Sequence, residues 1–227
     1  VIEWIRRLLW PKKIRHPHLA PPDYINRHAG RPFLVLGAGP TLVEHMLDIH
    51  QFVQTRRPII LSANAAGLEF SPHYVSFINR RRFCERARMV TQGTFLIGPH
   101  IPRWIVRRVC ARAWEWERLP WVDTKGPFGI HEGIVQCDCG MSGALLLAVA
   151  LVMGASETWT AGVDGYTAGA PVSAFALARP EHDLARALET QKRMQAVLPE
   201  IVAEYRQRGV GGPWSVTPTR FAELVVR

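Results

Sequence analysis

Short apolar runs alternate along the chain with longer segments in which hydrophobic residues recur every three or four positions. The apolar runs predict buried strands at 33–36, 58–62, 74–78 and 94–98, and further strands are predicted at 157–161 and, in shorter form, at 214–216. The periodic segments predict helices after residue 41 and over 104–116, 144–153 and 181–208. Strands that alternate with helices predict an α/β fold, a single Rossmann-like domain whose mostly parallel sheet carries helices on both faces.

Two segments lack either period and are rich in proline and glycine. Residues 119–136 are expected to form an irregular loop, and residues 16–32 a linker. The domain boundary is therefore placed at Pro32. Residues 1–31 are predicted to be a basic extension with its linker, and residues 32–227 a nucleotide-binding α/β domain.

The first fifteen residues mix tryptophan and aliphatic side chains with arginine and lysine. Such a mixture suits a segment that lies in a lipid headgroup layer, and it equally suits one that covers an apolar core. We therefore expect either peripheral membrane contact through 1–15 or packing of this segment on protein. The longest apolar stretch, 144–155, is too short to span a bilayer.

The chain carries 28 lysines and arginines against 19 acidic residues, a net charge of +9. This excess favours anionic partners such as nucleotides, nucleic acid or acidic membrane surfaces, and a solvated basic face is the alternative. Basic residues concentrate over 6–15 with Arg27 and Arg31, and again at Arg80, Arg81, Arg82, Arg86 and Arg88. Because no nucleic-acid-binding motif accompanies them, nucleic acid is not a predicted partner. Four tryptophans either stack on a sugar or base or pack in the core: Trp104, Trp114, Trp116 and Trp121.

Four cysteines are too few for a disulfide scaffold in a chain of 227 residues: Cys84, Cys110, Cys137 and Cys139. We expect free thiols and a cytoplasmic location, with contact at the inner face of the membrane through the basic extension. Zinc is not predicted at Cys137 and Cys139, because no second pair of ligands follows at the required spacing.

Polar residues and glycines follow several predicted strands at the point where each strand ends. They are the turn Gly37-Ala38-Gly39-Pro40-Thr41, Asn64, Asn79 and Asp164. Because the carboxyl ends of parallel strands meet at one edge of a sheet, we expect these groups to form one rim. The glycine turn lets backbone N–H groups approach a phosphate, or it is simply a tight strand-to-helix turn. The absence of a third glycine and of a following Gly-Lys-Ser/Thr disfavours dinucleotide dehydrogenases and Walker-type ATPases.

Four segments together resemble the bacterial sialyltransferases that have a G-x-G-P-S-L turn, and the related 6-hydroxymethylpterin diphosphokinase-like domains. The segments are Gly37 to Leu42, Ser62-Ala63-Asn64, Ser142-Gly143 at a helix start, and Thr160 to Tyr166. The resemblance covers about residues 32–219. It implies a single nucleotide-binding domain, a variant of the GT-A type, that uses a CMP-linked donor sugar and has no tightly bound cofactor.

The resemblance also implies a role for each matching residue. Residues Gly37, Ala38, Gly39, Pro40 and Thr41 would face the donor phosphate, and Asn64 and Asn79 would hold phosphate or sugar. Ser142 and Gly143 would meet the donor, and Asp164 would contact its nucleoside portion. Tyr166 would hydrogen-bond the departing phosphate. His182 would be the general base, since imidazole accepts a proton near neutral pH, whereas on sequence alone it is equally a helix-cap residue.

Some positions depart from the family pattern. Ala38 stands where the sialyltransferases commonly have asparagine, and Thr41 replaces the usual serine. At Asn79, followed by Arg80, the diphosphokinase-like relatives have an aspartate-rich, metal-binding stretch, so magnesium is compatible with the sequence but not required.

We therefore expect an inverting, metal-independent glycosyltransferase acting on a glycan or lipid-linked acceptor in cell-surface glycan synthesis. The alternatives are a Mg²⁺- and ATP-dependent pyrophosphokinase and a non-catalytic nucleotide-binding module.

Overall fold

The computed structural model describes residues 24–110, 115–138, 141–166 and 181–227. Strands within these residues are β1 Pro32–Leu36, β2 Ile59–Ala63, β3 Tyr74–Phe77, β4 Thr94–Ile97, β5 Trp116–Arg118, β6 Trp121–Asp123, β7 Gly129–His131, β8 Ile134–Cys137, β9 Glu157–Ala161, β10 Gly211–Ser215 and β11 Val225–Val226. The helices are α1 Thr41–Glu44, α2 Met46–Arg56, α3 Arg80–Arg86, α4 Arg103–Val109, α5 Ser142–Val152 and α6 Glu181–Gln207. The six strands that the sequence predicts, and the helices predicted over 144–153 and 181–208, fall close to their observed positions.

The main sheet has eight strands in the order β11-β10-β9-β1-β2-β3-β4-β5, and every neighbouring pair is parallel. Strands follow one another outward from β1 on one side, and β9 to β11 continue on the other. The order therefore reverses between β1 and β9, where Leu36 is paired with Ala161. Ligands of open α/β sheets bind beyond the carboxyl ends of the strands at such a reversal.

Helices cover both faces of this sheet, as predicted. Phe33 and Val35 of β1 belong to the buried cluster that contains α5 and the apolar side of α6. The alternate residues Leu34 and Leu36 face the other way, into a cluster with Leu42 and the helices α1 and α2. Further along the sheet, the α3 and α4 side chains pack on the same second face, over β3 and β4. All eleven residues of α5 are buried, which explains its apolar composition on every side.

Two predictions about the middle of the chain are wrong. The helix predicted over 104–116 ends at Val109, and Trp116 instead begins β5, where it is paired with Phe95 of β4. The loop predicted over 119–136 contains a second sheet in the order β6-β8-β7. Its β7–β8 hairpin turns through Glu132 and Gly133, both with positive φ, as a two-residue hairpin requires. Strands β5, β6 and β7 have only three residues each, which is too short to show a period.

The domain begins earlier than the sequence predicts. Tyr24 is fully buried in the main core. The backbone N–H groups of Asn26, His28 and Gly30 donate to the carbonyls of Val152, Met153 and Gly154, each at 2.9 Å. These carbonyls lie at the end of α5, where a helix leaves its last acceptors unpaired. Residues 24–31 are therefore part of the packed domain, whereas the extension 1–15 lies outside the described residues.

Two further expectations concern cysteine and membrane contact. Cys84 and Cys110 are free, but Cys137 is disulfide-bonded, so the expectation of free thiols is wrong at that position. No helix among the described residues is long and apolar enough to cross a membrane.

Candidate active site

A cleft of about 590 Å³ lies at the carboxyl ends of β1, β2, β3 and β9 and at the start of α5. Residues predicted from the sequence that line it are Gly37, Ala38, Gly39, Asn64, Asn79, Ser142, Gly143, Asp164 and Tyr166. The structure thus brings together groups that come from five separate segments of the chain. Pro40 and Thr41 are not among the lining residues.

The glycine turn packs tightly against the turn that follows β9. The N–H groups of Gly37 and Gly39 donate to the carbonyls of Ala161 and Gly162, each at 2.8 Å. A Cβ added at Gly37 would lie 2.3 Å from the Gly162 oxygen, and one at Gly39 would lie 2.3 Å from Oδ2 of Asp164. Glycine is therefore required here for close approach between two turns, and these two N–H groups are not available to a phosphate.

Thr41, at the start of α1, holds Asp164 in place. Its backbone N–H donates to Oδ2 of Asp164 at 2.8 Å, and its hydroxyl forms a short hydrogen bond with Oδ1. The Thr41 and Thr217 hydroxyls lie 3.0 Å apart. Since a hydroxyl carries one proton, Thr41 donates to Asp164 and Thr217 donates to Thr41. The predicted contact between Thr41 and a donor phosphate is thus corrected, because Asp164 already engages both donors of Thr41.

Burial shifts the proton equilibria of two residues in the cleft. Burial raises the pKa of Asp164, and the two hydrogen bonds from Thr41 oppose that rise by stabilising the carboxylate. Burial also raises the pKa of Tyr166. The phenol of Tyr166 therefore stays protonated at neutral pH and can donate a hydrogen bond. Its backbone N–H is fixed by a short hydrogen bond to the side-chain oxygen of Gln191 on α6.

Asn64, just after β2, adopts a left-handed backbone conformation with φ of 55°. Its N–H donates to the Ser76 carbonyl at 2.9 Å, and its side-chain Nδ2 lies 3.4 Å from the Ser142 hydroxyl. Its Oδ1 is buried and has no hydrogen-bond partner among the described residues. A buried acceptor without a partner is costly, so this atom is suited to a ligand donor that enters the cleft.

Asn79 serves first as a helix cap. Its Oδ1 accepts hydrogen bonds from the N–H groups of Arg81 at 2.9 Å and Arg82 at 3.2 Å. Asparagine is among the preferred residues for this position. The predicted contact of Asn79 with the donor is therefore limited to its amide nitrogen.

The first turns of α1 and α5 both lie at this edge of the sheet, but they differ in whether their N–H groups are already hydrogen-bonded to a carboxylate. Asp164 occupies the start of α1, whereas at the start of α5, which begins at Ser142, Met141 provides no side-chain cap and no side chain among the described residues hydrogen-bonds the first N–H groups. The first N–H groups of a helix lack partners within it, and the helix dipole favours negative charge there. A Cβ added at Gly143 would make only ordinary contacts, 3.5 Å from Val163. The protein's own packing therefore does not require glycine at this position.

Several lining residues are absent from the sequence prediction of the site: Arg81, Arg82, His100, Asp123, Asp138, Thr190 and Arg193. Trp121, for which the sequence left stacking or packing open, also lines the cleft and is largely buried. Nε2 of His100 lies 3.6 Å from Oδ2 of Asp123, too far for a direct hydrogen bond. The His100 ring lies edge-on to Trp121, with centroids 5.4 Å apart. His100 follows the predicted strand 94–98, so the rule that found the other strand-end residues would also have found it.

His182 lies in the first turn of α6, and its side chain is outside the described part of the structure. The same helix lines the cleft at Ala187, Thr190 and Arg193. Arg193 forms an ion pair with Asp138 at 3.1 Å. No group of three or more His, Cys, Asp or Glu that could hold a metal ion occurs among the residues described.

No model of a known protein family matches this chain, and no curated protein matches it either. Among solved structures, the chain is similar to the sialyltransferase CstII from Campylobacter jejuni in complex with a substrate analogue, cytidine-5'-monophosphate. The two are 13% identical, the match covers 87% of this chain and 85% of that chain, and the TM-score is 0.52. A structure of the sialyltransferase CST-II in complex with trisaccharide acceptor and CMP is also 13% identical, over 86% and 85% of the two chains, with a TM-score of 0.44. The α/β Rossmann-like fold predicted from the sequence is thus confirmed, and CstII has a similar fold.

Proposed function

We propose that this protein is an inverting glycosyltransferase that transfers a sugar from a nucleotide-activated donor, with a CMP-linked donor favoured, to a glycan or lipid-linked acceptor. The observation that carries the proposal is the cleft at the reversal of strand order, lined by residues from five segments, four of which resemble the sialyltransferase pattern. A fold similar to that of an enzyme solved with cytidine monophosphate supports it.

The start of α5 is the position that best suits the donor phosphate. Among the described residues, no side chain caps the N–H groups of Ser142 and Gly143, and Arg81 and Arg82 line the same cleft. Gly143 leaves room for a phosphate where a side chain would intrude. Asp164, held by Thr41, retains lone pairs that can accept hydrogen bonds from the nucleoside hydroxyls. The Asn64 oxygen accepts from the donor sugar.

In the transfer step, the acceptor hydroxyl oxygen forms a bond to the anomeric carbon while the bond between that carbon and the phosphate oxygen breaks. The proton of the hydroxyl passes to a general base, to which we assign His182. The phosphate leaves with the bonding electrons and is stabilised by the α5 N–H groups and the neutral phenol of Tyr166. This step needs no metal, because backbone and side-chain donors carry the developing charge.

Thermal unfolding with CMP, UDP, GDP and ATP, each with and without Mg²⁺, tests the proposal. A ligand that binds only the native state stabilises it by about 2.7 kcal/mol at a hundred times its dissociation constant. Stabilisation by CMP without metal is expected. Stabilisation by ATP with Mg²⁺ alone would favour the pyrophosphokinase, and binding without transfer from any nucleotide sugar would favour the non-catalytic module.

A variant at the start of α5 sharpens this test. Gly143→Ala is expected to leave the unliganded protein as stable as the parent, because the added Cβ makes only ordinary contacts. The same methyl group would occupy the space assigned to the phosphate, so the stabilisation by CMP should disappear. Gly126→Ala, in an exposed turn outside the cleft where a Cβ would lie 3.4 Å from Thr124, is the matched control.

A further inference from the structure

Most of the protein's excess positive charge lies in one stretch of the chain. Between residues 80 and 109 there are eight arginines and one acidic residue, Glu85, a net charge of +7 out of +9 for the whole chain. The eight are Arg80, Arg81, Arg82, Arg86, Arg88, Arg103, Arg107 and Arg108. The first five belong to the cluster seen in the sequence, and the other three are brought beside it by the fold.

Helices α3 and α4 carry seven of these arginines, and Arg88 lies in the 3₁₀ turn Ala87–Met89 that follows α3. Phe83 of α3 and Ile105 of α4 are buried in the same cluster, on the same face of the sheet. The guanidinium of Arg80 lies over the ring of Trp104, 5.9 Å from its centroid, and so joins the two helices. We call this the arginine surface; its exposed arginines are Arg80, Arg81, Arg88, Arg103, Arg107 and Arg108.

Two large apolar side chains lie exposed among these charges. Trp104 is 55% exposed and Met89 is 61% exposed. Tryptophan and methionine beside arginine suit the boundary between lipid headgroups and acyl chains, where the apolar part enters the bilayer and the charges meet phosphates. A single-stranded nucleic acid would instead use an open aromatic face for stacking, and the Arg80 guanidinium lies over one face of Trp104.

The arginine surface adjoins the candidate active site. Arg81 and Arg82 line the cleft, and Arg80, next to them on α3, contacts Trp104 at the centre of the surface. From these observations we propose that the arginine surface docks the protein on an anionic lipid bilayer. Docking in this orientation places the edge of the cleft beside the headgroups. This role does not depend on the sugar-transfer chemistry.

Sedimentation with lipid vesicles tests the proposal on the full chain. The vesicles are made of phosphatidylcholine alone, or of phosphatidylcholine and phosphatidylglycerol at about 7:3. The protein is expected to bind the anionic vesicles and to lose that binding as salt is raised, because the attraction falls off within a Debye length. The test variant replaces Arg103, Arg107 and Arg108 by glutamine, all exposed on α4 and outside the cleft.

Each arginine near an anionic surface strengthens binding about fivefold, so the triple variant should partition about a hundredfold more weakly. A matched control removes the same charge elsewhere, through Arg57→Gln, Lys192→Gln and Arg206→Gln, and should bind vesicles like the parent. Trp104→Ala should also weaken binding, whereas Trp104→Phe should retain most of it. If the triple variant unfolds, each arginine is replaced singly, with about a fivefold loss expected from each.

Equal binding by the triple variant and the parent would overturn the proposal, and so would equal binding to neutral and anionic vesicles. A third contrary result is arginine-dependent binding to duplex DNA or single-stranded RNA without binding to vesicles. Stabilisation by CMP should be the same in the triple variant and the parent. A failure of membrane docking is therefore distinguishable from a failure of the proposed function.

Discussion

The backbone N–H of Thr41 donates to Oδ2 of Asp164 across 2.8 Å, so a carboxylate from the turn after β9 closes the start of α1. The two residues are 123 positions apart in the chain and meet because β1 and β9 are neighbours in the sheet. This contact fixes the position of Asp164, which lines the cleft. The Asp164 carboxylate occupies the start of α1, so an anion can bind there less readily than at the start of α5, where no described side chain accepts from the first N–H groups.

Replacing Thr41 by valine should destabilise the fold by about 1–3 kcal/mol. The change keeps the shape of the side chain but removes a hydroxyl that bonds both Asp164 and Thr217, which then lose a partner in a partly buried site. Urea denaturation measures the difference. Thr55→Val is the control, since the Thr55 hydroxyl bonds only its own helix at an exposed position and should change stability by less than about 0.5 kcal/mol.

The raised pKa of Asp164 predicts how stability depends on pH. A carboxyl whose pKa is higher in the folded state contributes stability that is present below its unfolded pKa, about 3.9, and is lost as pH rises through the folded value. Asp164→Asn is neutral at every pH and does not show this loss. The free energy of unfolding of the asparagine variant, relative to the parent, should therefore rise with pH above about 4 and then level off. A relative stability that falls over this range would contradict the burial effect.

Several elements of the fold could be predicted from the sequence because burial fixes their hydrophobic pattern. The run at 33–36 is apolar since both faces of the sheet are covered, and α5 is almost entirely apolar since it is wholly buried. Helix α3 was missed because Phe83 is its one buried residue, set among arginines. Tyr24 was missed because its partners lie in α5 and the core, far along the chain.

The rim of the cleft could be predicted from one rule, that parallel strands bring their carboxyl ends together. The rule placed Asn64 and Asp164 at one edge from residue order alone. It could not show that Thr41 binds Asp164 or that Asn79 caps α3, since those contacts depend on side-chain geometry. Asp123 could not be predicted for a different reason, because it lies on β6, a strand of three residues with no visible period.

Asn64→Gly separates a role in binding from a role in folding. Glycine adopts the left-handed conformation of this residue without strain, so the free energy of unfolding should change by less than about 1 kcal/mol. Loss of the unpartnered Oδ1 should weaken binding of the CMP-linked donor sugar about tenfold, as measured by calorimetry. Asn26→Gly, at a positive φ of 58° outside the cleft, should alter neither quantity. Unchanged affinity in Asn64→Gly would remove this atom from the binding site.

The identity of the general base can be decided between two histidines. His182→Ala should lower the rate of sugar transfer by about 10²–10⁴-fold, the usual contribution of a positioned base, while CMP still stabilises the protein. His100→Ala should lower the rate by less than about tenfold. The exposed His131, which lies on β7 outside the cleft, provides a third alanine variant that should transfer sugar like the parent.

A large loss of rate in His100→Ala with little loss in His182→Ala would assign the base to His100. This residue lines the cleft, and its Nε2 lies 3.6 Å from Oδ2 of Asp123. In that case Asp123→Asn should lower the rate together with His100→Ala, since the carboxylate would stabilise the protonated imidazole as the proton is taken up. A histidine base also affects how the rate of sugar transfer depends on pH, because the rate falls at low pH as the imidazole becomes protonated. The variant that lacks the base should lose that acidic limb, and the variant that lacks the other histidine should keep it.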